Sequence, residues 1–357
     1  MKKNIFKILI FLILYFLVIA IAQNTLDAFK LRILNLCAIY TILGLSMNLI
    51  NGFTGQFSLG HAGFMAIGAY TTALLTMKPE VKEQIFYMKP LIYPLNSISM
   101  PFLPALLIGG VLAAVVGYLI GAPALKLKGD YLAIATLGFS EIIRVLITNA
   151  QSITNGALGI KGIPSYTNLY WSYGLGLITV IFMFKLINCS YGRAFKAIRE
   201  DEIAAENMGI NLFKHKIMAF TIGSFLAGIG GGLLGNLLGT IDPLMFRFFL
   251  TFNILLIIVL GGMGSISGTI IAAFVITIAG EALRFLDKEI NLIFVRIPGI
   301  PGLRMVVFSA LLMIVVLFYR NGLLGNEELS WDKIKTFFKN IKKPFNKGGN
   351  LHGSVKN

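Results

Sequence analysis

Charge is scarce in this 357-residue chain: 13% of its residues are Asp, Glu, Lys or Arg, where soluble domains carry about 25%. Cysteine is scarcer still. Only Cys37 and Cys189 occur, both in or beside apolar runs, which excludes a disulfide framework and leaves two buried, inert thiols as the reading. The three histidines, His61, His215 and His352, lie far apart and define no metal site. No Gly-Lys dipeptide occurs anywhere, so there is no Walker A phosphate loop. The sequence GGMGS at Gly261–Ser265 is therefore read as a tight turn between two cytoplasmic helix ends. No G-x-S-x-G elbow surrounds Ser58, and Ser58 and His61 along one helix make no triad. The chain is not read as an enzyme.

What fills the space is apolar. Hydrophobic residues make up 56% of the chain, with a mean hydropathy of +0.80. Several runs approach the ~20 residues that a helix needs to cross a bilayer. The runs are continuous and do not alternate, which argues against a barrel. The fold class is all-α, a polytopic membrane protein. Ten helices are expected, at about 8–22, 33–51, 59–77, 101–122, 131–149, 169–189, 217–239, 248–263, 265–284 and 304–319. Residues 1–325 form the membrane domain. Residues 326–357 form a polar, basic tail suited to anionic lipid. No convincing repeat is visible, although inverted symmetry is often weak in sequence.

The net charge of +15 lies between and after the apolar runs, so it speaks of orientation in the membrane rather than of nucleic acid. With ten spans, both termini share a side. The loops on that side hold eighteen Lys and Arg, against nine in the opposite loops. The bias places both termini in the cytoplasm. Lys2, Lys3 and Lys7 before an apolar stretch, with Ala20-Ile21-Ala22 after it, also have a signal-peptide layout. The many spans that follow favour a retained first helix. The loop 78–100, with Pro79, Pro90, Pro94 and several aromatics, is expected to be ordered in part on the outer side.

Three segments stand out. The first is a mixed-charge island, GRAFKAIREDEIAAENMGINLFKHK, at Gly192–Lys216. Ala194, Ala197, Ile198, Ala204, Ala205 and Met208 recur at helical spacing and give one apolar face, and Gly209 can end the helix. Two readings stay open: a helix on the membrane surface, or a helix whose small-residue face docks on another protein. The second is NLINGFTGQFSLGHAGFMAIGAY, from Asn48 to Tyr70. Five glycines and the polar Gln56, Ser58 and His61 sit here within membrane-class hydrophobicity. Irregular backbone at that depth is tolerated only where it is buried or lines a water-filled path. The segment is thus either a broken helix beside a translocation path, with Gly55, Gln56, Ser58 and His61 as candidate gate residues, or a site of glycine-mediated packing. The third is a pair of Glu-x-x-Arg motifs, Glu141/Arg144 and Glu281/Arg284, each placing both charges on one helix face. Glu141 falls mid-span, where an unpaired charge is costly. A structural ion pair and a gate or pathway role both fit Glu141 and Arg144. Arg284, near a helix end, is expected to snorkel.

Together these residues resemble the permease subunits of branched-chain amino-acid ABC transporters, of the LivM type. The resemblance rests on LGLSMNLINGFTGQFSLGHAGFMAIGAY (43–70), LKLKGDYLAIATLGFSEIIRVL (125–146), TNGALGIKGIP (154–164), GRAFKAIREDEIAAENMGI (192–210) and VLGGMGSISGTIIAA (259–273). It implies a permease subunit of an importer for Leu, Ile and Val in the bacterial plasma (inner) membrane. It also implies a second related permease, two cytoplasmic subunits that bind the ATP, and an extracytoplasmic substrate-binding protein. No cofactor is implied on the chain itself. The family's ATPase-docking element falls on the island, through Arg199, Glu200, Asp201, Glu202, Ala204, Ala205 and Gly209. Ile203 stands between the Glu and the Ala pair, a departure from the general pattern. A urea or short-amide importer is similar over the same segments. A secondary transporter using Glu141 as its coupling site is a different class of reading.

Overall fold

A computed structural model describes residues 2–127 and 129–283, with short pieces between 290 and 328, and gives side-chain burial from residue 12. The described residues are mostly helical. Helix α1 spans Lys2–Thr25 and α2 spans Ala28–Asn48. After an irregular stretch come α3 (His61–Thr76) and a short α4 (Pro79–Ile85). Helices α5 (Phe102–Ala124), α6 (Asp130–Asn149), α7 (Gln151–Thr154) and α8 (Leu169–Asn188) follow. The island supplies α9 (Ser190–Glu200) and α10 (Glu202–Asn207). Then come α11 (Leu212–Leu238), α12 (Phe248–Gly261) and α13 (Ile266–Ala282).

Nine of the ten expected helices coincide with these elements, several with longer ends. The tenth, at 304–319, lies almost wholly outside the described residues, as do Arg284 and the tail. Past α13, two strands, β1 (Ile290–Leu292) and β2 (Val295–Ile297), pair antiparallel, a minor addition to an all-α protein. Among the described residues, five helices are long and apolar enough to cross a bilayer: 28–53, 102–124, 130–149, 169–188 and 212–238. Residues 12–25, 248–261 and 266–282 are apolar but shorter. The turn Gly262–Ser265 divides the last two, and an irregular segment shortens α3 to 16 residues. At 1.5 Å per residue such a helix reaches about 24 Å, short of the roughly 30 Å hydrocarbon core.

The centre is a bundle of α2, α3, α5 and α11, whose buried side chains include Ile42, Met47, Phe64, Met65, Leu106, Phe220 and Leu233. Phe64 and Phe220 meet edge-on, with centroids 5.6 Å apart. Between α3 and α11 the backbones themselves touch. A methyl group on Gly68 would overlap the carbonyl of Gly228, and one on Gly231 would overlap that of Met65. Among apolar lipid tails, where burial gives little drive, such close approach supplies the packing that joins helices. Helices α6 and α8 stand at the periphery, each with most of its surface uncovered in the single chain.

Candidate functional site

Helix α2 does not end cleanly. Its last turn loosens into a π-helical turn, Leu49–Phe53, and residues 54–60 then run irregularly before α3 begins at His61. The break is internal: Gly52, Thr54, Gln56, Ser58 and Gly60 are buried. Buried backbone must be satisfied, and side chains do most of that work here. Asn51 donates Nδ2–H to the Ser58 carbonyl at 3.2 Å and accepts the Ser58 amide at 3.3 Å. The Leu59 amide donates to Thr136 Oγ1 on α6 at 3.0 Å, and the Ala62 amide to Thr251 Oγ1 on α12 at 3.0 Å. His61 is fully buried, with Nε2 2.6 Å from Ser46 Oγ. Ser46 donates its hydroxyl proton to the Leu43 carbonyl at 2.8 Å, so His61 donates from Nε2. Gln56 is buried, and both polar atoms of its side chain have no partner among the described residues.

The island folds as two helices rather than one. Asp201 breaks it and caps α10, accepting the amides of Ile203 at 2.8 Å and Ala204 at 3.0 Å. The single apolar face expected from spacing is therefore corrected. On α9, Ala194, Phe195 and Ile198 turn inward. Phe195 packs in a cluster with Leu49, Phe53, Ile187 and Ala219, so the chain's own helices occupy that face. On α10, Ala205 is buried, while Ala204 and Met208 face outward with Ile203. Ile203 is 72% and Met208 82% exposed. Gly209 closes the helix at φ +82°, as its position suggests. Lys216 on α11 pairs with Glu202 at 2.5 Å.

Arg199 ties the island to the break. Its Nη1 donates to the Gly52 carbonyl at 3.2 Å, and its side chain pairs with Glu200 at 2.5 Å. Gly55, at φ +71°, lies so close that an added methyl would sit 3.0 Å from Arg199 Cγ. A methyl on Gly264 would come within 2.6 Å of Arg199 Nη1. The Gly262–Ser265 turn is thus part of the same cluster. Asn48, at the end of α2, holds it there: it donates to the Ser265 carbonyl at 3.0 Å and to Thr269 Oγ1 at 2.8 Å, and accepts the Gly264 amide at 2.9 Å. The third segment lies apart from this cluster, along α6. Arg144 Nε and Glu141 Oε2 are 2.7 Å apart, and both side chains are partly exposed.

A protein-family match covers residues 29–317 and describes the branched-chain amino acid transport system permease component. The chain belongs to this family. The high-affinity branched-chain amino acid transport system permease protein LivM of Escherichia coli (strain K12) is 33% identical over 79% of this chain and 69% of that protein. The Salmonella typhimurium LivM protein is 35% identical over 69% of this chain, and the match spans 61% of that protein's length. The LivH permease protein of Escherichia coli (strain K12) is 26% identical over 81% of this chain and 92% of its own length. The chain is accordingly a multi-pass membrane permease component. It is not an enzyme, and ATP hydrolysis belongs to separate subunits.

Within the permease, the structure brings Arg199, Glu200 and Gly55 together and places Gln56, Ser58 and His61 along the same break. Asp201 serves as a helix cap, and Glu202 is held by Lys216. Sequence reasoning missed Thr136 and Thr251, which accept amides of the broken segment and the start of α3 from two other helices, and it missed the hold of Asn48 on the 262–265 turn. An isolated Asn or Thr in an apolar run gives little warning of that role. Among the described residues no group of three or more His, Cys, Asp or Glu could hold a metal.

Proposed function

We propose that this permease forms half of the translocation path of an ATP-driven importer for leucine, isoleucine and valine in the plasma (inner) membrane, with both termini and the island cytoplasmic. The observation that carries the reading is the contact of Arg199 with Gly52, Gly55 and Gly264. It joins the charged island to a buried break between α2 and α3, so movement of one displaces the other. Arg199–Gly209 is the lever. A cytoplasmic ATPase docks on α10, where Ile203 and Met208 offer apolar contacts beside Glu202 and Glu206. The lever needs no reacting group, only contacts that differ between two states.

The partners are a second, related permease, two ATP-binding subunits and an extracytoplasmic substrate-binding protein. The family match and the likeness to both LivM and LivH proteins support this set. The break at 54–60, with Gly55, Gln56, Ser58 and His61, stands beside the path, and Glu141 and Arg144 face it from α6. Irregular backbone next to water-accessible space is the arrangement that a membrane permits.

The test is reconstitution of this chain with its co-encoded partners in proteoliposomes. Leucine uptake is expected to require ATP and to survive collapse of the proton gradient. Uptake driven by the proton gradient without ATP would instead favour a secondary transporter coupled at Glu141. ATP-driven uptake of urea with none of leucine would transfer the assignment to the short-amide class. The purified chain alone is expected to hydrolyse no ATP.

A further inference from the structure

The Glu141–Arg144 pair carries more than its own neutralisation requires. Glu141 is the twelfth residue of the 20-residue α6, near the middle of a span. Charges there are expensive and mark pathways or buried partners. The pair is not shielded, since the Arg144 side chain is 23% and the Glu141 side chain 36% exposed. It is also half spent. The contact joins Arg144 Nε to Glu141 Oε2, while Nη1 and Nη2 of Arg144 and Oε1 of Glu141 have no protein partner among the described residues. Among the described residues, a guanidinium edge and a carboxylate oxygen without protein partners therefore lie side by side near the middle of α6.

The position is tied to the broken segment. Thr136, five residues before Glu141 on α6, accepts the Leu59 amide. Ser140 lies against Gly63, where an added methyl would be 3.1 Å from its Oγ. The pair thus sits one to two helical turns along α6 from the break. Among the described residues, the exposed apolar side chains of Ile134 and Val145 lie on either side of it, and at Gly138 nothing lies within 4 Å of where a side chain would begin.

We propose that Glu141 and Arg144 form a transit site for a zwitterionic α-amino acid, resting on the import reading above. The ligand's ammonium takes the Glu141 carboxylate and its carboxylate takes the Arg144 guanidinium edge, matching the fork geometry of arginine. The apolar side chain lies along Ile134 and Val145 over the open space at Gly138. Because ligand and pair are each neutral, no net charge enters the low-dielectric interior at any stage. When the ligand departs, the two side chains pair again, and no unpaired charge stays at mid-span. A molecule with only one of the two charges leaves either Glu141 or Arg144 uncompensated, so the site discriminates against it. Urea, with neither charge, offers the pair hydrogen bonds from a neutral partner only, without an ion pair at either end.

The test uses the assembled transporter in detergent, with Cys37→Ala, Cys189→Ser and a reporter Leu137→Cys one turn before Glu141. A water-soluble maleimide should label the reporter. Leucine or isoleucine at about ten times its dissociation constant should slow labelling about tenfold. 4-Methylpentanoate and 3-methylbutylamine, each keeping one charge, should not slow it. Protection should vanish in Glu141→Gln and in Arg144→Gln and be partly retained in Glu141→Asp, with size-exclusion profiles verifying assembly. No labelling at all, labelling indifferent to leucine, or equal protection by the single-charge analogues would each overturn the site. If ATP-driven leucine uptake persists when the same complex is reconstituted in proteoliposomes, only the site is wrong. If that uptake is absent, the import reading has failed instead.

Discussion

The guanidinium of Arg199, on the charged island, donates to the carbonyl of Gly52, inside the break between two apolar helices, at 3.2 Å. The two residues are 147 positions apart in the chain. A hydrogen bond from a charged donor contributes about 1.5–3 kcal/mol. Replacing Arg199 with Ala is therefore expected to lower uptake roughly tenfold or more, while the assembled complex still hydrolyses ATP. Arg199→Lys should recover only part of the loss, because a single ammonium cannot hold both Gly52 and Glu200 as a planar fork does. Parallel measurement of uptake and ATP turnover in proteoliposomes checks this. Equal falls in both would mean that the contact is structural and does not couple.

Charge reversal at Glu202 separates two roles for that residue. Glu202→Lys is expected to uncouple ATP hydrolysis from uptake. It also places two like charges together, since Lys216 sits 2.5 Å away. The double variant Glu202→Lys with Lys216→Glu restores the pair. If the double variant regains uptake, Glu202 acts through Lys216. If it stays uncoupled, Glu202 meets the ATPase directly.

Glycine substitutions should sort by position. Gly231→Ala forces a methyl into the Met65 backbone and Gly68→Ala forces one into Gly228, so α3 and α11 must separate. Overpacking of this kind costs about 1–3 kcal/mol or more. Gly174→Ala on α8 meets nothing within 4 Å and should be neutral or stabilising by roughly 0.5–1 kcal/mol. Thermal unfolding in detergent, followed by the fluorescence of a thiol-reactive dye, gives the ranking.

The loop 78–100 hangs on Lys82. This lysine is buried, and its Nζ donates to the carbonyls of Leu95 at 2.7 Å and Ile98 at 2.5 Å. Burial holds its ammonium below the usual lysine range. Lys82→Met keeps the packing but leaves both carbonyls without their donor, at about 1–3 kcal/mol each. Protease cleavage between residues 86 and 100 should accelerate while the rest of the chain stays protected. Unchanged cleavage would show that Phe86 and Leu91, both buried, suffice to hold the loop.

The helices were legible because each is a long apolar run, and burial along a helix follows composition closely. The break at 54–60 was legible too, since glycines and polar residues clustered where the chain should have been uniformly greasy. The island misled in one respect. Its spacing continued past Asp201, but an Asp side chain competes for backbone amides, and here it caps a second helix instead of riding on the first. The Glu141–Arg144 contact followed from a spacing of three, which any helix converts into proximity.

Sequence by itself determined the membrane class, nearly all of the described helices, the absence of a phosphate loop and the family, because these depend on composition, local periodicity and motif order. Tertiary structure decided which distant residues meet. Arg199, Gly52, Gly55, Gly264 and Asn48 share one cluster only because α2, α9 and the α12–α13 turn converge. Nothing along the chain encodes that meeting locally. It follows from how helices with small residues pack against one another, and that packing brings the charged island into contact with a broken helix.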